Sequence, residues 1–200
     1  GWPRPRLLRF RRRPGAAAVG AASATHASAK RLRQLAATVG HTGRDEQFIY
    51  VPAAKRAIQV GGQTRKQSFL GSEFYVGDFA EPELDAFTYS FVGDENVGGR
   101  QCKLVQVVPK TLDDALYSKS IVAIDPHDLV VVRTQLFDDK GNLLKVWTIE
   151  KLDKIDGMWT PVKQKIEDVQ EKHWSEFEMS DIKYNAQVPD EVFNKSYLTR

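Results

Sequence analysis

The chain has 200 residues, enough for one domain, and its 42% hydrophobic and 28% charged residues are ordinary for a globular protein. Its net charge of +3 is unevenly distributed: residues 1–42 hold nine basic residues and no acid, which leaves 20 basic against 26 acidic residues in residues 43–200. No apolar run approaches the ~18 residues of a membrane-spanning helix, and an acidic body with no basic face argues against nucleic-acid binding.

Residues 1–42 show neither a strand pattern nor an amphipathic period, and they are rich in Arg, Pro, Ala and Gly. Three interpretations stay open. The segment is an export signal with a cleavage site at Ala27-Ser28-Ala29, an out-of-frame or fused sequence, or a native basic tail that binds anionic surfaces. All three predict a segment that is disordered in isolation, so we place the folded domain in residues 43–200.

From residue 47 onward, short β-branched and aromatic runs alternate with turn residues, which is typical of strands. The predicted strands are 47–51, 57–60, 87–93, 100–108, 118–124, 129–137, 143–152, 158–169 and 174–184. Their links are as short as residues 155–157, and parallel strands would need long crossovers, so the pattern predicts an antiparallel meander. Helix signals are confined to residues 72–79 and 189–193. We therefore expect a mainly β fold with few short helices.

Alternation along the predicted strands indicates which side chains share a face. Val130, Val132, Thr134 and Leu136 are expected to lie together on one dry face of the sheet. The next strand is irregular, because Leu144 and Val146 have one parity whereas Trp147 and Ile149 have the other. This predicts a bulge in that strand or burial on both of its faces.

Sequence signatures of catalysis are missing: there is no GxSxG, HExxH, CxxC or glycine-rich phosphate loop. The single cysteine, Cys102, lies in a strand-like run and is expected to be a small buried hydrophobe. His127 and His173 are expected to be solvated loop residues, and residues 138–142 a hairpin turn and not a calcium loop. We expect no enzyme, no metal and no cofactor.

Three stretches resemble one known family. They are FIYVPAAKR at residues 48–56, SFLGSEF at residues 68–74, and KIDGMWTP at residues 154–161, which follows a Gly-x-Leu-Leu-Lys hairpin. Near the end, Tyr184-Asn185 precedes Pro189-Asp190. In order and spacing these stretches resemble the LolA-like outer-membrane lipoprotein-sorting proteins, in the branch often encoded beside large RND-type lipid exporters. The resemblance runs from about residue 43 to residue 200.

The resemblance implies a curved antiparallel sheet, a half-open barrel around an apolar cavity that shields acyl chains in water. Family members have a helix and further strands ahead of the equivalent of Gly43, so an incomplete barrel is expected here. The implied function is that of a monomeric periplasmic carrier, which binds a lipoprotein or lipid and delivers it toward the outer membrane. The alternative is an accessory module of an inner-membrane RND-type exporter that carries no lipid itself.

An acyl-chain cavity needs aromatic and aliphatic walls, because each buried CH₂ contributes ~0.8 kcal/mol. Trp159 is also expected to anchor the sheet at its hairpin, so that truncation to Ala costs about 3–5 kcal/mol. The candidate lipid-binding residues are Phe69, Leu70, Phe74, Trp147, Ile149, Trp159 and Phe177.

Overall fold

A computed structural model describes residues 59–69, 71–79, 84–113 and 115–184 in full, and the backbone of four strands that precede them. Eleven strands are present in these parts of the chain: β1 (Arg9–Arg13), β2 (Gln34–Ala37), β3 (Glu46–Val51), β4 (Arg56–Gln59), β5 (Phe87–Val97), β6 (Arg100–Pro109), β7 (Lys119–Asp125), β8 (Val130–Phe137), β9 (Leu143–Ile155), β10 (Met158–Asp168) and β11 (His173–Glu178). The helical elements among the described residues are 3-10 turns at Gly62–Lys66, Val76–Phe79 and Leu84–Ala86.

The strands β5 to β11 form one antiparallel meander in which every strand pairs with its neighbour in sequence. Strand β1 pairs antiparallel with β11 and extends this sheet to eight strands, whereas β2, β3 and β4 form a separate three-stranded sheet. The larger sheet is not closed into a barrel, since β5 and β1 stand at its two ends. The predicted mainly β, antiparallel, half-open architecture is confirmed.

Tight turns explain why the meander forms. At the β9–β10 link, Asp156 and Gly157 have φ values of 50° and 83°, and two successive positive values define the type I′ hairpin that matches strand twist. At the β8–β9 link, the Asp138 carboxylate accepts hydrogen bonds from the backbone N–H groups of Lys140 (3.0 Å) and Asn142 (2.8 Å). Residues 138–142 are therefore a hairpin turn, as predicted.

The register defines two faces of the sheet. Phe91, Val105, Val122, Thr134 and Trp147 are successive cross-strand partners, and paired residues point to the same side of an antiparallel sheet. This side is the inner face, and residues 68–69 and 71–79, which we name the strap, pack on it over β9 to β11. On the opposite side, the outer face of β9 to β11 carries paired charges, and the Lys163 Nζ lies 2.7 Å from carboxylates of both Glu150 and Glu176.

A bulge in β8 divides the strand into two phases. Ala123 pairs with Arg133 but Ile124 pairs with Val131, so Val132 has no opposite residue on β7. Val132 consequently packs in an outer-face cluster with Cys102 and Ala123, and Leu136 packs on the inner face. The prediction that Val130, Val132, Thr134 and Leu136 share one face is wrong, because an unpaired residue reverses the alternation. Irregular register is also present in β9, as predicted.

The remaining single-residue predictions have clear outcomes. Cys102 is a buried thiol, 1% exposed, on β6, and burial raises its pKa. His127 lies in a turn with its side chain 91% exposed, which confirms its placement. His173 does not lie in a loop, because it is the first residue of β11. The helix predicted at residues 189–193 lies outside the described residues.

Candidate functional site

The inner face carries an aromatic cluster built between the strap and the sheet. Phe74 is at its centre with no exposed surface. Its ring centroid lies 5.2 Å from that of Trp147 in an edge-on arrangement, 5.5 Å from Phe79 and 6.1 Å from Phe177. Phe69 adds a further contact, 4.7 Å from Phe79. These edge-on and tilted contacts are the geometries that aromatic rings favour in protein cores.

Beside this cluster the inner face is open and forms a groove of about 260 Å³. Val131 and Thr134 of β8 and Trp147 and Ile149 of β9 line it. The β8 bulge places Val131 and Thr134, which are three residues apart, in the same groove. The Trp147 indole N–H donates to Gln164 at 3.0 Å, so its polar atom is satisfied and its ring is held in place. The groove is thus a fixed surface that is mainly apolar.

The apolar surface continues across the sheet beyond the groove. Val122, Val105 and Phe91 follow Thr134 along one cross-strand row that ends at the β5 edge, where Phe91 is 63% exposed. Lys103 extends over the Phe91 ring at 5.6 Å and pairs with Asp94 at 2.7 Å. Val105 and Val122 are half-buried, so the row forms a continuous apolar strip that is most exposed at Phe91, and apolar patches of this kind often mark binding surfaces.

Polar groups fasten the strap to the sheet at the backbone of a single residue, Glu73. The Lys145 Nζ donates to the carbonyl oxygen of Glu73 at 2.6 Å, and the backbone N–H of Glu73 donates to the Ser175 hydroxyl at 3.0 Å. Both side chains are buried, at 2% and 0% exposure. Farther along the strap, the Tyr117 hydroxyl donates to the Asp78 carboxylate at 3.0 Å. These bonds hold Phe74, the residue after Glu73, against Trp147.

Burial shapes the ionisation of this network. Desolvation lowers the pKa of Lys145, although the carboxylates of Asp78, Asp168 and Glu73 act in the opposite direction. Desolvation likewise raises the pKa of Asp78, against hydrogen bonds from Tyr75 and Tyr117 that favour its charged form. The Lys145 ammonium also lies 3.3 Å from the centroid of the Tyr75 ring, a favourable cation–π contact. The strap is therefore anchored by charges that are costly to bury, which suits a structural clamp.

Among the predicted site residues, the structure brings together Phe69, Phe74, Trp147 and Phe177 in the aromatic cluster, with Ile149 next to them in the groove. Trp159 lies apart from this cluster, half-buried between Arg100 and Lys154, whose cationic groups are 5.6 Å and 5.7 Å from its ring. Leu70 lies outside the described residues. The assignment of these seven residues to a lipid site stays a prediction.

Sequence reasoning missed Val131, Thr134, Phe79 and the clamp residues Lys145 and Ser175. One signal was available for Lys145, since it shares its parity with Trp147 and Ile149 and so belongs to the buried side of β9. Val131 could not have been found, because only the bulge turns it inward. Phe79 lies five residues after Phe74 in a stretch without regular periodicity, so no sequence pattern indicated that the two rings meet.

Two absences concern only the parts of the chain that the structure describes. Within them, no group of three or more His, Cys, Asp and Glu side chains is placed to hold a metal ion. No helix in the same residues has the length and apolar character to cross a membrane.

Comparisons with known proteins agree with this architecture. A family model described as an uncharacterized protein matches residues 26–200. A DUF1329 family protein from Desulfovibrio piger is 26% identical, with a TM-score of 0.73 over 78% of this chain and 66% of that one. A domain named as an outer membrane lipoprotein-sorting protein, from Vibrio parahaemolyticus, is 26% identical, with a TM-score of 0.72 over 79% and 67%.

A LolA superfamily protein from Nitrosomonas europaea shares the fold, with a TM-score of 0.60 at 19% identity over 76% of this chain and 67% of that one. The chain spans about two thirds of the length of these structural relatives. No curated protein matches it. Since the family model covers most of its length, the chain belongs to that family, described as an uncharacterized protein, and its resemblance to LolA-like outer-membrane lipoprotein-sorting proteins is confirmed.

Proposed function

We propose that this protein is a periplasmic carrier that binds an acyl chain of a lipoprotein or another lipid and delivers it toward the outer membrane. The observation that carries this proposal is the groove between Val131 and Trp147, an open apolar surface beside a fixed aromatic cluster. The name of the Vibrio parahaemolyticus relative supports the class of cargo and, with it, the compartment. Fold alone does not determine function, so the groove has the larger weight.

The size of the groove limits what it can hold. Ligand pockets generally measure about 300–1,000 Å³, and the groove measures about 260 Å³. It therefore suits part of one acyl chain and not a whole lipid. With ~0.8 kcal/mol for each buried CH₂, a few methylenes contribute several kcal/mol, and the row from Val122 to Phe91 offers further apolar contact. Binding of this kind needs no catalytic group and no cofactor.

The second candidate function is an accessory module of an RND-type exporter that carries no lipid. The small groove favours it, and so does strand β5, whose residues 88–92 are all exposed. An exposed edge strand is a natural docking point for another protein. Under this interpretation the apolar row would contact a protein partner.

Lipid binding separates the two candidates. The full chain, purified from bacterial membranes, is analysed by native mass spectrometry for co-purifying lipid, and a fluorescent acyl probe is titrated into it. We expect saturation near one probe per chain and a negative heat-capacity change, as burial of apolar surface requires.

The matched variants are Trp147→Glu, in the groove wall, and His127→Ala, in an exposed turn. The first should weaken the probe by more than about ten-fold, since a charge is placed against the bound chain. The second should leave binding unchanged. If neither co-purifying lipid nor probe binding is found in the folded protein, the carrier proposal is wrong and the accessory module takes its place.

A further inference from the structure

We infer that Gln164 makes the groove selective for unsubstituted hydrocarbon, because it keeps the indole N–H of Trp147 from pairing with the cargo. This rests on the proposed carrier function and names the class of acyl segment that the groove accepts. Gln164 is not among the residues that line the groove. It is therefore a positioning residue, which acts on the ligand through Trp147.

The surroundings of Gln164 are apolar on both sides. It pairs with Ile149 of β9 and with Phe177 of β11, so the three side chains lie together on the inner face. Ile149 lines the groove and Phe177 belongs to the aromatic cluster. Gln164 is only 7% exposed, and an amide buried among apolar side chains destabilises a fold unless its hydrogen bonds are made.

Two hydrogen bonds fix this amide. Its Nε2 donates to the carbonyl oxygen of Pro161 at 3.2 Å, and its Oε1 accepts from the Trp147 Nε1 at 3.0 Å. The pairing of β9 with β10 slips between Pro161 and Gln164, so the side chain reaches back to a carbonyl in an irregular part of the strand. With its nitrogen bonded to Pro161, the amide presents its acceptor oxygen to the indole.

The groove consequently offers the cargo no donor from Trp147. Its lining residues lie on β8 and β9, whereas the indole N–H is bonded to a side chain of β10. Val131 and Ile149 add only hydrocarbon, and Thr134 adds one hydroxyl. A methylene chain therefore leaves no indole donor unpaired when it displaces water, whereas a chain with a ketone at Trp147 gives up its own water without gaining the indole as a partner.

Gln164→Met removes the acceptor and keeps an unbranched side chain of similar length. The indole N–H then bonds to water in the open groove, and a bound hydrocarbon strips that water away. Because an unpaired donor is costly, the variant should bind a saturated fatty acid about ten-fold more weakly. An oxo fatty acid, whose ketone accepts from the freed N–H, should lose no more than about two-fold.

The test is competition with a fluorescent acyl probe on the full-length protein. The competitors are a saturated fatty acid and oxo fatty acids of equal length, with the ketone at successive positions along the chain. The wild type should prefer the saturated acid by about ten-fold where the ketone meets Trp147. In Gln164→Met this preference should fall to about two-fold or less. Gln164→Glu keeps an acceptor oxygen and should restore it.

Two further variants separate this role from general damage. Gln135→Met is the matched control, because it makes the same replacement on the outer face of β8, where Gln135 pairs with Ile121 and Val146. It should keep the wild-type preference. Trp147→Phe has no indole N–H, so its preference for the saturated acid should be the same with and without Gln164→Met.

Hydrogen exchange of the Trp147 indole N–H, followed by NMR, reports the bond directly. Exchange should be at least about ten-fold faster in Gln164→Met than in the wild type or Gln164→Glu. If Gln164→Met is less stable but keeps the preference for the saturated acid, or if the wild type has no such preference, the role of Gln164 is overturned and the carrier function stands. A wild type that binds no fatty acid overturns both.

Discussion

Truncation of Phe74 to Ala tests whether the strap is an integral part of the core. Phe74 is fully buried and meets three aromatic rings within 6.1 Å. Phe→Ala changes in a core cost about 3–5 kcal/mol, from lost transfer energy and the remaining cavity. Complete burial and the added ring contacts place the expected loss in the upper half of that range. Against a typical stability of about 5–15 kcal/mol, this is a large fraction of the total.

Urea unfolding of the full chain, followed by tryptophan fluorescence and far-UV circular dichroism, measures this loss. With a slope of about 2 kcal/mol per molar urea, the midpoint should fall by roughly 2 M. Leu84→Ala is the control, since Leu84 is 73% exposed and its truncation should change stability by less than about 0.5 kcal/mol. A Phe74→Ala loss below about 1.5 kcal/mol would refute the packing argument, because it would mean that the strap leaves the sheet at little cost.

Three further predictions follow from the structure. Trp159→Ala should cost clearly less than Phe74→Ala in the same urea assay, near 1–2 kcal/mol instead of the 3–5 kcal/mol expected from sequence, because Trp159 is half-buried and two cationic side chains, not apolar ones, lie over its ring. The Arg100 guanidinium lowers the pKa of Asp125. This ion pair therefore stabilises the fold at pH values above the unfolded pKa near 3.9, and the stabilisation is lost as the pH falls through the lower folded pKa. Arg100→Met should then lose less stability than the wild type between about pH 4 and pH 2, and an equal loss in the two proteins would contradict this. The sequence places residues 1–42 outside the folded domain, whereas the structure pairs Arg9–Arg13 with β11 and Gln34–Ala37 with β3. Hydrogen exchange decides between the two, because protected amides in these strands would contradict the placement of the domain in residues 43–200, and rapid exchange throughout residues 1–42 would support it.

The strands of the meander could be predicted from sequence because each is bounded by turn chemistry. All nine predicted strands are present, and the hairpin at Asp156-Gly157 sets its own geometry through two positive φ values. The last strand was predicted too long, since it ends at Glu178 and not near residue 184. Strands Arg9–Arg13 and Gln34–Ala37 were not predicted, because their segment shows no period-two pattern.

The site was predicted only in part, for a physical reason. Large aromatic side chains such as Phe74 and Trp147 can be predicted from sequence to be buried, and buried aromatic residues pack together in a cluster. The groove, in contrast, depends on where the register slips, and the bulge at Val132 depends on pairing with β7, which no local pattern in β8 encodes. The partners of Lys145 were equally hidden, because the strap contacts β9 from 72 residues away in sequence.

The contrast between the two faces of the sheet has a consequence for how the whole molecule behaves at an oil–water boundary. The outer side of β9 to β11 carries Lys163 paired with Glu150 and Glu176, and a row of apolar side chains crosses the inner side as far as Phe91. A sheet with one charged and one apolar face would have a preferred orientation at a lipid surface, with the charged face toward water. An amphipathic helix orients at a membrane for the same reason. In that orientation the inner face, and with it the groove, would face the lipid without a dedicated docking residue.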